Sequence, residues 1–405
     1  MRIFIIPPND LLRHLIPNRM YHIAKRLANN HEIFILSYTN HPLAHEIKRS
    51  LKAVEIPISN ALKTNNLGLY YIINASQIYT TIKNVIQKED IDVIIHGNIL
   101  PSFIASKLAK KMRIPNIYDF LDYFPESASA YYTKGRGLIE MGVKTFVYPA
   151  LRNSDVIVTP SYGLKKIVEN ISPGIPVHVI PNGVDAEIFK PIDQKIARKE
   201  IGLDTDYLLL LLQGSLDVWI DVENIMRVLR ELRKIADIRL LIVGFSHAKY
   251  YYKLLTVHAK HFGIDKYIYT YPPQPYEKMP LFINSSDIVI APVRKMLINF
   301  ATPLKIAEAI SCGKPVITRD IAEFKIWYKM GVYTYSSYAE LEDLIRDLFN
   351  MLDEIKNSLH IYSYNFRKTF DWNNLSTKYI VLLENFFETS SRLCDKLRES
   401  DQSHC

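Results

Sequence analysis

The sequence predicts an α/β protein made of two consecutive doubly wound halves that face a common cleft, and three observations carry that expectation. Short β-rich runs alternate with helical patterns of about ten to fifteen residues, the signature of right-handed βαβ units around a parallel sheet. The alternation pauses at Pro181-Asn182-Gly183, which reads as a turn, and a second independent series begins beyond Phe189-Lys190-Pro191. With 405 residues, 48% hydrophobic and 23% charged, the chain is long enough for two or three cores and too apolar to be disordered as a whole.

In the first series, Arg2 to Ile6 is a buried strand stopped by Pro7-Pro8, Asn18 to Ala28 an amphipathic helix, and Glu32 to Ser37 the next strand. A helical region near 68–88 leads to strand Ile91 to Ile95, which stops at His96-Gly97-Asn98. Helix 101–112, strand Pro115 to Tyr118, a helical region around 136–152, strand Asp155 to Thr159 and a short strand Val177 to Ile180 follow. The second series has strands Tyr207 to Leu212, Arg239 to Val243, Lys266 to Thr270, Asp287 to Ala291 and Pro315 to Thr318. Its helices fall at 222–235, 247–261, 276–284 and 303–311. The expected domains are 1–186 and 187–372, with a polar tail over 390–405 read as disordered. Sheets of this kind bind ligands outside the carboxyl ends of their strands, so the cleft between the halves is the expected site.

Composition narrows the function. The formal net charge is +8, spread along the chain without a polybasic run. That balance suits anionic ligands or an acidic membrane surface, whereas nucleic-acid binding would need a concentrated stripe and a reading motif. Three cysteines, Cys312, Cys394 and Cys405, exclude a disulfide framework and a CxxC metal knot. No GxGxxG follows a strand and no GxxxxGK[ST] is present, which argues against a dinucleotide-dependent dehydrogenase and a P-loop nucleotidase. The apolar start is too short for a signal peptide, and no run approaches the ~20 apolar residues of a membrane span. The expectation is a soluble cytoplasmic protein, at most peripheral to a membrane. Asp204-Thr205-Asp206 is a DxD, but it precedes the strand beginning at Tyr207, at the amino edge of the sheet and away from the cleft. No metal and no cofactor is expected.

The most informative stretch runs from Thr302 to Val316, TPLKIAEAISCGKPV. Pro303 suits a first helical turn, with Thr302 as cap, and Gly313 ends the helix before strand Val316 to Thr318. Lys305 and Glu308 share one face. The helix start then points out of the carboxyl edge, offering N–H groups and a partial positive charge to an anion such as a diphosphate. A carboxylate one turn in can accept two sugar hydroxyls. Alone, the same pair also fits a surface Lys–Glu contact.

The segment resembles the donor-binding segment of GT-B glycosyltransferases, in particular the retaining family 4, or group 1, type. Further resemblances follow in order: Ser154 to Ser161; Val179-Ile180-Pro181-Asn182-Gly183-Val184-Asp185 with Phe189; Leu241-Ile242-Val243-Gly244; and Asn284 to Val289 with Pro292. Phe370-Asp371-Trp372 resembles the run before the family's last helix, here about 373–389, which crosses back to the first domain. The resemblance covers residues 1 to about 385 and implies two Rossmann-like domains, acceptor side first and nucleotide-sugar side second.

The resemblance also implies an activity: transfer of a hexose-type sugar from a nucleoside diphosphate sugar to a sugar or lipid-linked acceptor, with retention and without metal. Lipid-linked glycans and surface polysaccharide precursors are the setting of many relatives, which suggests the inner face of the cell membrane. Tyr70-Tyr71, Tyr131-Tyr132, Lys134 and Arg136 could form an interfacial face there, or an ordinary solvated surface. On the donor side the resemblance implies Gly214, Ser215, Arg294, Asn299, Phe300, Ala301, Thr302, Lys305 and Glu308, with Lys305 at the diphosphate and Glu308 at the ribose. Three positions depart from the family: Ser215 stands in place of its Arg, Ile220-Asp221 in place of its Lys-Gly, and Phe300 in place of its first Glu. The missing charge must then come from Lys305 or Arg294.

On the acceptor side, Tyr118-Asp119-Phe120-Leu121-Asp122-Tyr123 resembles the yDxxD of related transferases. Asp119 would stabilise the reacting sugar or orient the acceptor hydroxyl, or else cap the next turn. His96 would donate to sugar or phosphate, or else sit in a loop; His14 and Arg19 are weaker candidates for an anionic acceptor. A GT-B-fold sugar-nucleotide epimerase and a non-catalytic sugar-nucleotide-binding subunit are the alternatives.

Overall fold

The structure is a computed structural model that describes residues 1–386 except 133, 204–206, 216–218, 246–248, 295–302 and 322–326. Its first sheet contains β1 (Arg2–Ile6), β2 (Glu32–Ser37), β3 (Val54–Pro57), β4 (Val93–His96), β5 (Asn116–Asp119), β6 (Val156–Thr159) and β7 (Val177–Val179). All pairs are parallel, in the order β3-β2-β1-β4-β5-β6-β7. The reversal of direction beside β1 is the topological switch point at which such sheets open a ligand crevice. Strands covered by helices on both faces need no polar alternation, and β4 and β6 are buried at every residue. The edge strand β3 is partly exposed and ends at Pro57, which has no N–H to give a further neighbour. Its lack of a continuous apolar run explains why the sequence does not announce it.

The second sheet contains β8 (Leu208–Ser215), β9 (Ile238–Phe245), β10 (Ile268–Tyr271), β11 (Ile288–Ala291), β12 (Val316–Arg319) and β13 (Val332–Tyr335), ordered β10-β9-β8-β11-β12-β13 and parallel throughout. Strand β13 lies beyond the series expected from the sequence. In the first half the helices that matter to the site are α1 (Arg19–Leu27), α2 (Leu67–Ile73), α3 (Ala75–Lys88), α4 (Leu100–Met112), α5 (Phe124–Ser129) and α6 (Arg136–Arg152). α1 starts where Asn18 accepts a hydrogen bond from the Tyr21 amide, and it buries Met20, Ile23, Ala24 and Leu27 on one face. The helical region expected at 68–88 divides at Asn74, whose side chain bonds Leu62 and Tyr70 backbone groups instead of continuing one rod.

The chain crosses between the halves twice, side by side. Val184 N–H donates to Phe370 O at 3.0 Å and Trp372 N–H donates to Val184 O at 3.0 Å. A Cβ on Gly183 would stand 2.5 Å from Phe370 O and 2.5 Å from Leu375 Cδ1, so the hinge motif needs glycine for close approach. A 33-residue helix, Tyr338–Phe370, leads into this crossing, and the final helix, residues 372–386, returns to the first half. There Trp372, Leu375, Tyr379 and Leu383 join the core with Ile3, Ile5, Met20 and Ile95. Trp372 stacks on His22 at 5.0 Å.

Candidate active site

A cleft of about 1640 Å³ opens between the carboxyl edges of the two sheets and draws its lining from both. Pockets for one small ligand span about 300–1,000 Å³, so this one has room for two substrates.

The second half contributes backbone turns and one short helix, Leu304–Ser311. Its start differs from the sequence expectation: Pro303 is itself the N-cap, with extended ψ of 130°, and the helix begins at Leu304. Thr302 lies outside the described residues, as do Asn299, Phe300 and Ala301 and the Asp204-Thr205-Asp206 run. Pro303, Leu304, Lys305 and Glu308 all line the cleft, so the helix opens its amino end into it. Lys305 lies across the end of β8: its Nζ is 3.5 Å from Gln213 O, and Gln213 Nε2 donates to Lys305 O at 3.3 Å. Gly214 has φ +97°, and a Cβ there would meet Lys305 Cδ at 3.8 Å. A Cβ on Gly244 would stand 1.9 Å from Gly214 O, so the end of β9 can approach that of β8 only with glycine at 244. Gly214, Ser215 and Gly244 all face the cleft.

Glu308, one turn into the helix, is 8% exposed. Burial pushes its carboxyl up to about 7, against the opposing pull of the Lys305 charge. A buried carboxylate facing a cleft is costly unless donors reach it.

The acceptor side is corrected in two places. His96 is fully buried in the first sheet, its Nε2 3.0 Å from Asn116 Oδ1 and its ring 4.6 Å from Tyr118. Burial lowers it to about 4, partly opposed by Asn116, so it is neutral and enclosed. As the last residue of a strand covered on both faces, it packs beneath the edge instead of projecting past it. Asp119 is also fully buried and pairs with Arg19: Nε donates to Asp119 Oδ2 at 3.1 Å. Arg19 Nη1 donates to Ile180 O at 3.0 Å and Asn182 Oδ1 at 2.9 Å, tying α1, β5 and the hinge together. Burial raises Asp119 while Arg19 holds it down. The carboxylate of this run that faces the cleft is Asp122, raised by burial to about 6, with hydrogen bonds from Ser127 and the Tyr123 amide opposing. The spacing of the motif offers both carboxylates, and only the strand's end decides which emerges.

Arg294 is the third correction. The segments 219–221 and 292–294 pair antiparallel: Asp221 N–H donates to Pro292 O at 3.1 Å and Arg294 N–H to Trp219 O at 2.7 Å. This pins Arg294 beside Asp221, Nη2 3.7 Å from Oδ1, and outside the cleft lining. The same pairing presents Trp219, which sequence reading passed over, to the cleft. Its ring meets Tyr131 of the first half edge-on at 5.3 Å, a contact that spans the two sheets. The signal available was an aromatic directly before Ile220-Asp221, the pair that stands in place of the absent Lys-Gly.

Lys305, Glu308, Gly214 and Ser215 are thus brought together on one wall with Asp122, Arg19 and Asn182 opposite. Among the described residues no cluster of three His, Cys, Asp or Glu is placed to hold a metal ion. No helix of the described residues is long and apolar enough to cross a membrane.

Comparison with known proteins places the chain. Residues 16–188 match the model "Glycosyltransferase Family 4" and residues 193–367 match "Glycosyl transferases group 1". The chain is 24% identical to a lipopolysaccharide 1,2-N-acetylglucosaminetransferase of Salmonella typhimurium, over 95% of this chain and 97% of that one. Its fold is similar to a sucrose-phosphate synthase from Thermosynechococcus elongatus (TM-score 0.82, 14% identity, 96% and 100% covered). It is also similar to an Anabaena protein solved with UDP-glucose (TM-score 0.71, 13% identity, 95% and 100% covered). With a family model on each sheet and both halves folded in this way, the chain belongs to the group 1 glycosyltransferases of the GT-B fold and is a transferase enzyme.

Proposed function

We propose that the enzyme moves a hexose-type sugar from a nucleoside diphosphate sugar to a hydroxyl of a lipid-linked glycan or surface polysaccharide precursor, retaining the anomeric configuration and using no metal. One observation carries the donor assignment: Lys305, the start of its helix, and the glycine ends of β8 and β9 converge on one wall of a cleft that both sheets line. Backbone that approaches so closely, with a cation and a helix amino end, suits a diphosphate. Glu308, buried one turn further in, suits the paired hydroxyls of a ribose, which would supply the donors its carboxylate needs. The UDP and UDP-glucose bound in the Anabaena neighbour give a uridine nucleotide first place among donors to try. The Salmonella relative, by its description, acts on lipopolysaccharide, which supports the acceptor class.

In the reaction the C1–O bond to the leaving diphosphate breaks as the acceptor oxygen bonds C1 on the same face. The acceptor proton passes to the departing phosphate oxygen. Negative charge grows on the diphosphate, where Lys305 and the helix amino end stand, and one such preorganised group is typically worth about 3–4 kcal/mol. Asp122 on the opposite wall accepts a hydrogen bond from the acceptor hydroxyl. Closure of the two domains over the donor excludes water and so limits its hydrolysis.

The test is product analysis by NMR with UDP-glucose, UDP-N-acetylglucosamine and UDP-galactose, each with a lipopolysaccharide core acceptor and EDTA. Formation of an α-glycoside from an α-donor supports the proposal. A β-product would contradict retention, an absolute divalent-metal requirement would contradict the metal-free step, and an epimerised donor without acceptor would assign the chemistry to an epimerase.

A further inference from the structure

We infer that the wall built on α5 selects an acceptor whose receiving unit is an uncharged pyranose and rejects an anionic one, with Glu126 setting the charge and Tyr131 the ring face; this rests on the transferase reading above. Asp122 comes just before α5, Glu126 and Ser127 lie within it and Tyr131 follows it, and all four line the cleft. Ionised carboxylates only accept hydrogen bonds, so Asp122 and Glu126, four positions apart, offer acceptors to the hydroxyls around a sugar ring. Tyr131 is 41% exposed and meets Trp219, the cleft-facing aromatic of the second half, edge-on at 5.3 Å. The face of an aromatic ring carries negative charge density and attracts the C–H groups that a pyranose presents on its flat side. Carboxylates beside aromatic rings therefore match both surfaces of one sugar unit, its polar rim and its apolar face.

Charge decides between a neutral and an anionic unit. Among the described residues, three charged side chains line the cleft from the first half: Arg19, Asp122 and Glu126. Arg19 is turned onto Asp119, Ile180 O and Asn182 Oδ1, so a buried carboxylate already matches its charge. Asp122 and Glu126 remain, near enough to one another that the Glu126 charge helps to raise Asp122. Lys305, the cation of the opposite wall, stands at the donor site, and Arg136 gives its Nε to Ser129 Oγ at 3.3 Å outside the lining. A phosphate or carboxylate on the α5 wall thus faces two like charges, a repulsive element that discriminates as strongly as any attractive contact. A hydroxyl in the same place gains charge-assisted hydrogen bonds instead.

The test is saturation-transfer NMR titration of the full chain, with and without UDP, using the methyl glycosides of glucose, galactose and mannose and of the three matching uronic acids. At least one hexoside should bind, and its uronide should bind more weakly by about tenfold or more, as one like-charge contact near a protein surface requires. Glu126→Gln keeps an acceptor oxygen and removes one charge, so it should narrow that gap by about threefold or more. Tyr131→Leu changes an exposed position, so it should fold, and it should weaken hexoside and uronide alike by about threefold to tenfold. A damaged fold lowers every affinity together, so the ratio of hexoside to uronide in Glu126→Gln reports the wall itself. A uronide that binds as well as its hexoside would overturn the inference, as would a ratio that Glu126→Gln leaves unchanged. Failure of all three hexosides to bind would overturn it too. A UDP titration of the same samples separates the two levels. UDP binding without hexoside preference ends this inference and leaves the transferase reading standing; hexoside preference with no UDP binding supports the wall and removes the donor assignment.

Discussion

Glu308 shows how one buried carboxyl can report both stability and binding. Its folded value, about 7, lies above its ordinary 4.5. The group therefore adds stability below about pH 4.5, and that contribution is lost as the pH rises through 7, up to about 3 kcal/mol in the unliganded protein. Ribose hydroxyls need the ionised form as acceptor. Nucleotide affinity should then rise about tenfold between pH 6 and pH 8 by calorimetry, and the rise should vanish in Glu308→Gln. An equal rise in the variant would remove Glu308 from the ribose. Lys305 gives the matching kinetic prediction. Lys305→Ala should lower kcat by roughly 10²-fold or more, while thermal denaturation shifts little because the side chain faces the cleft. If the variant melts much earlier at unchanged kcat, the residue's role is structural. These two residues were legible because helical spacing fixes which side chains share a face. His96 and Arg294 were not: burial beneath the strand end and the pairing of 219–221 with 292–294 are tertiary facts with no local signature.

At the scale of elements, Arg19 holds the acceptor half to the hinge. Its guanidinium reaches from α1 to Asp119 at the end of β5 and to Ile180 and Asn182 ahead of the crossing. Arg19→Leu leaves Asp119 charged and buried, which costs about 3–5 kcal/mol when one partner of a buried pair is removed. The double variant Arg19→Leu/Asp119→Asn should recover part of that loss in urea denaturation. If the single variant loses less than about 1 kcal/mol, the pair is not what holds the hinge. The sequence made most strands plain, since continuous apolar runs mark strands buried on both faces. It hid β3, an edge strand with a half-exposed, proline-ended pattern. The 33-residue helix had its signal in place: Ser337 Oγ caps the Glu340 amide at 3.2 Å, and no Gly or Pro interrupts Tyr338–Phe370. The division of the 68–88 region had no such mark, because Asn74 breaks the rod through bonds to Leu62, twelve positions away.

For the whole molecule, two crossings bonded to one another at Val184 and Asp371, with the final helix packed on the first sheet, make a narrow joint between two broad sheets. Such joints let the halves close over a ligand, and Tyr131 against Trp219 is one place where they already touch. The central claim is that the wall built from Gly214, Gly244, Lys305 and Glu308 holds a nucleoside diphosphate. Its most direct test is calorimetric titration with UDP, GDP and dTDP in EDTA, on the protein and on Lys305→Ala and Glu308→Gln. The account predicts that one diphosphate binds, and that Lys305→Ala and Glu308→Gln each weaken it at pH 8 by roughly tenfold or more, the size of one lost charge-assisted contact. Binding of none of the three, or binding that neither variant changes, would contradict it.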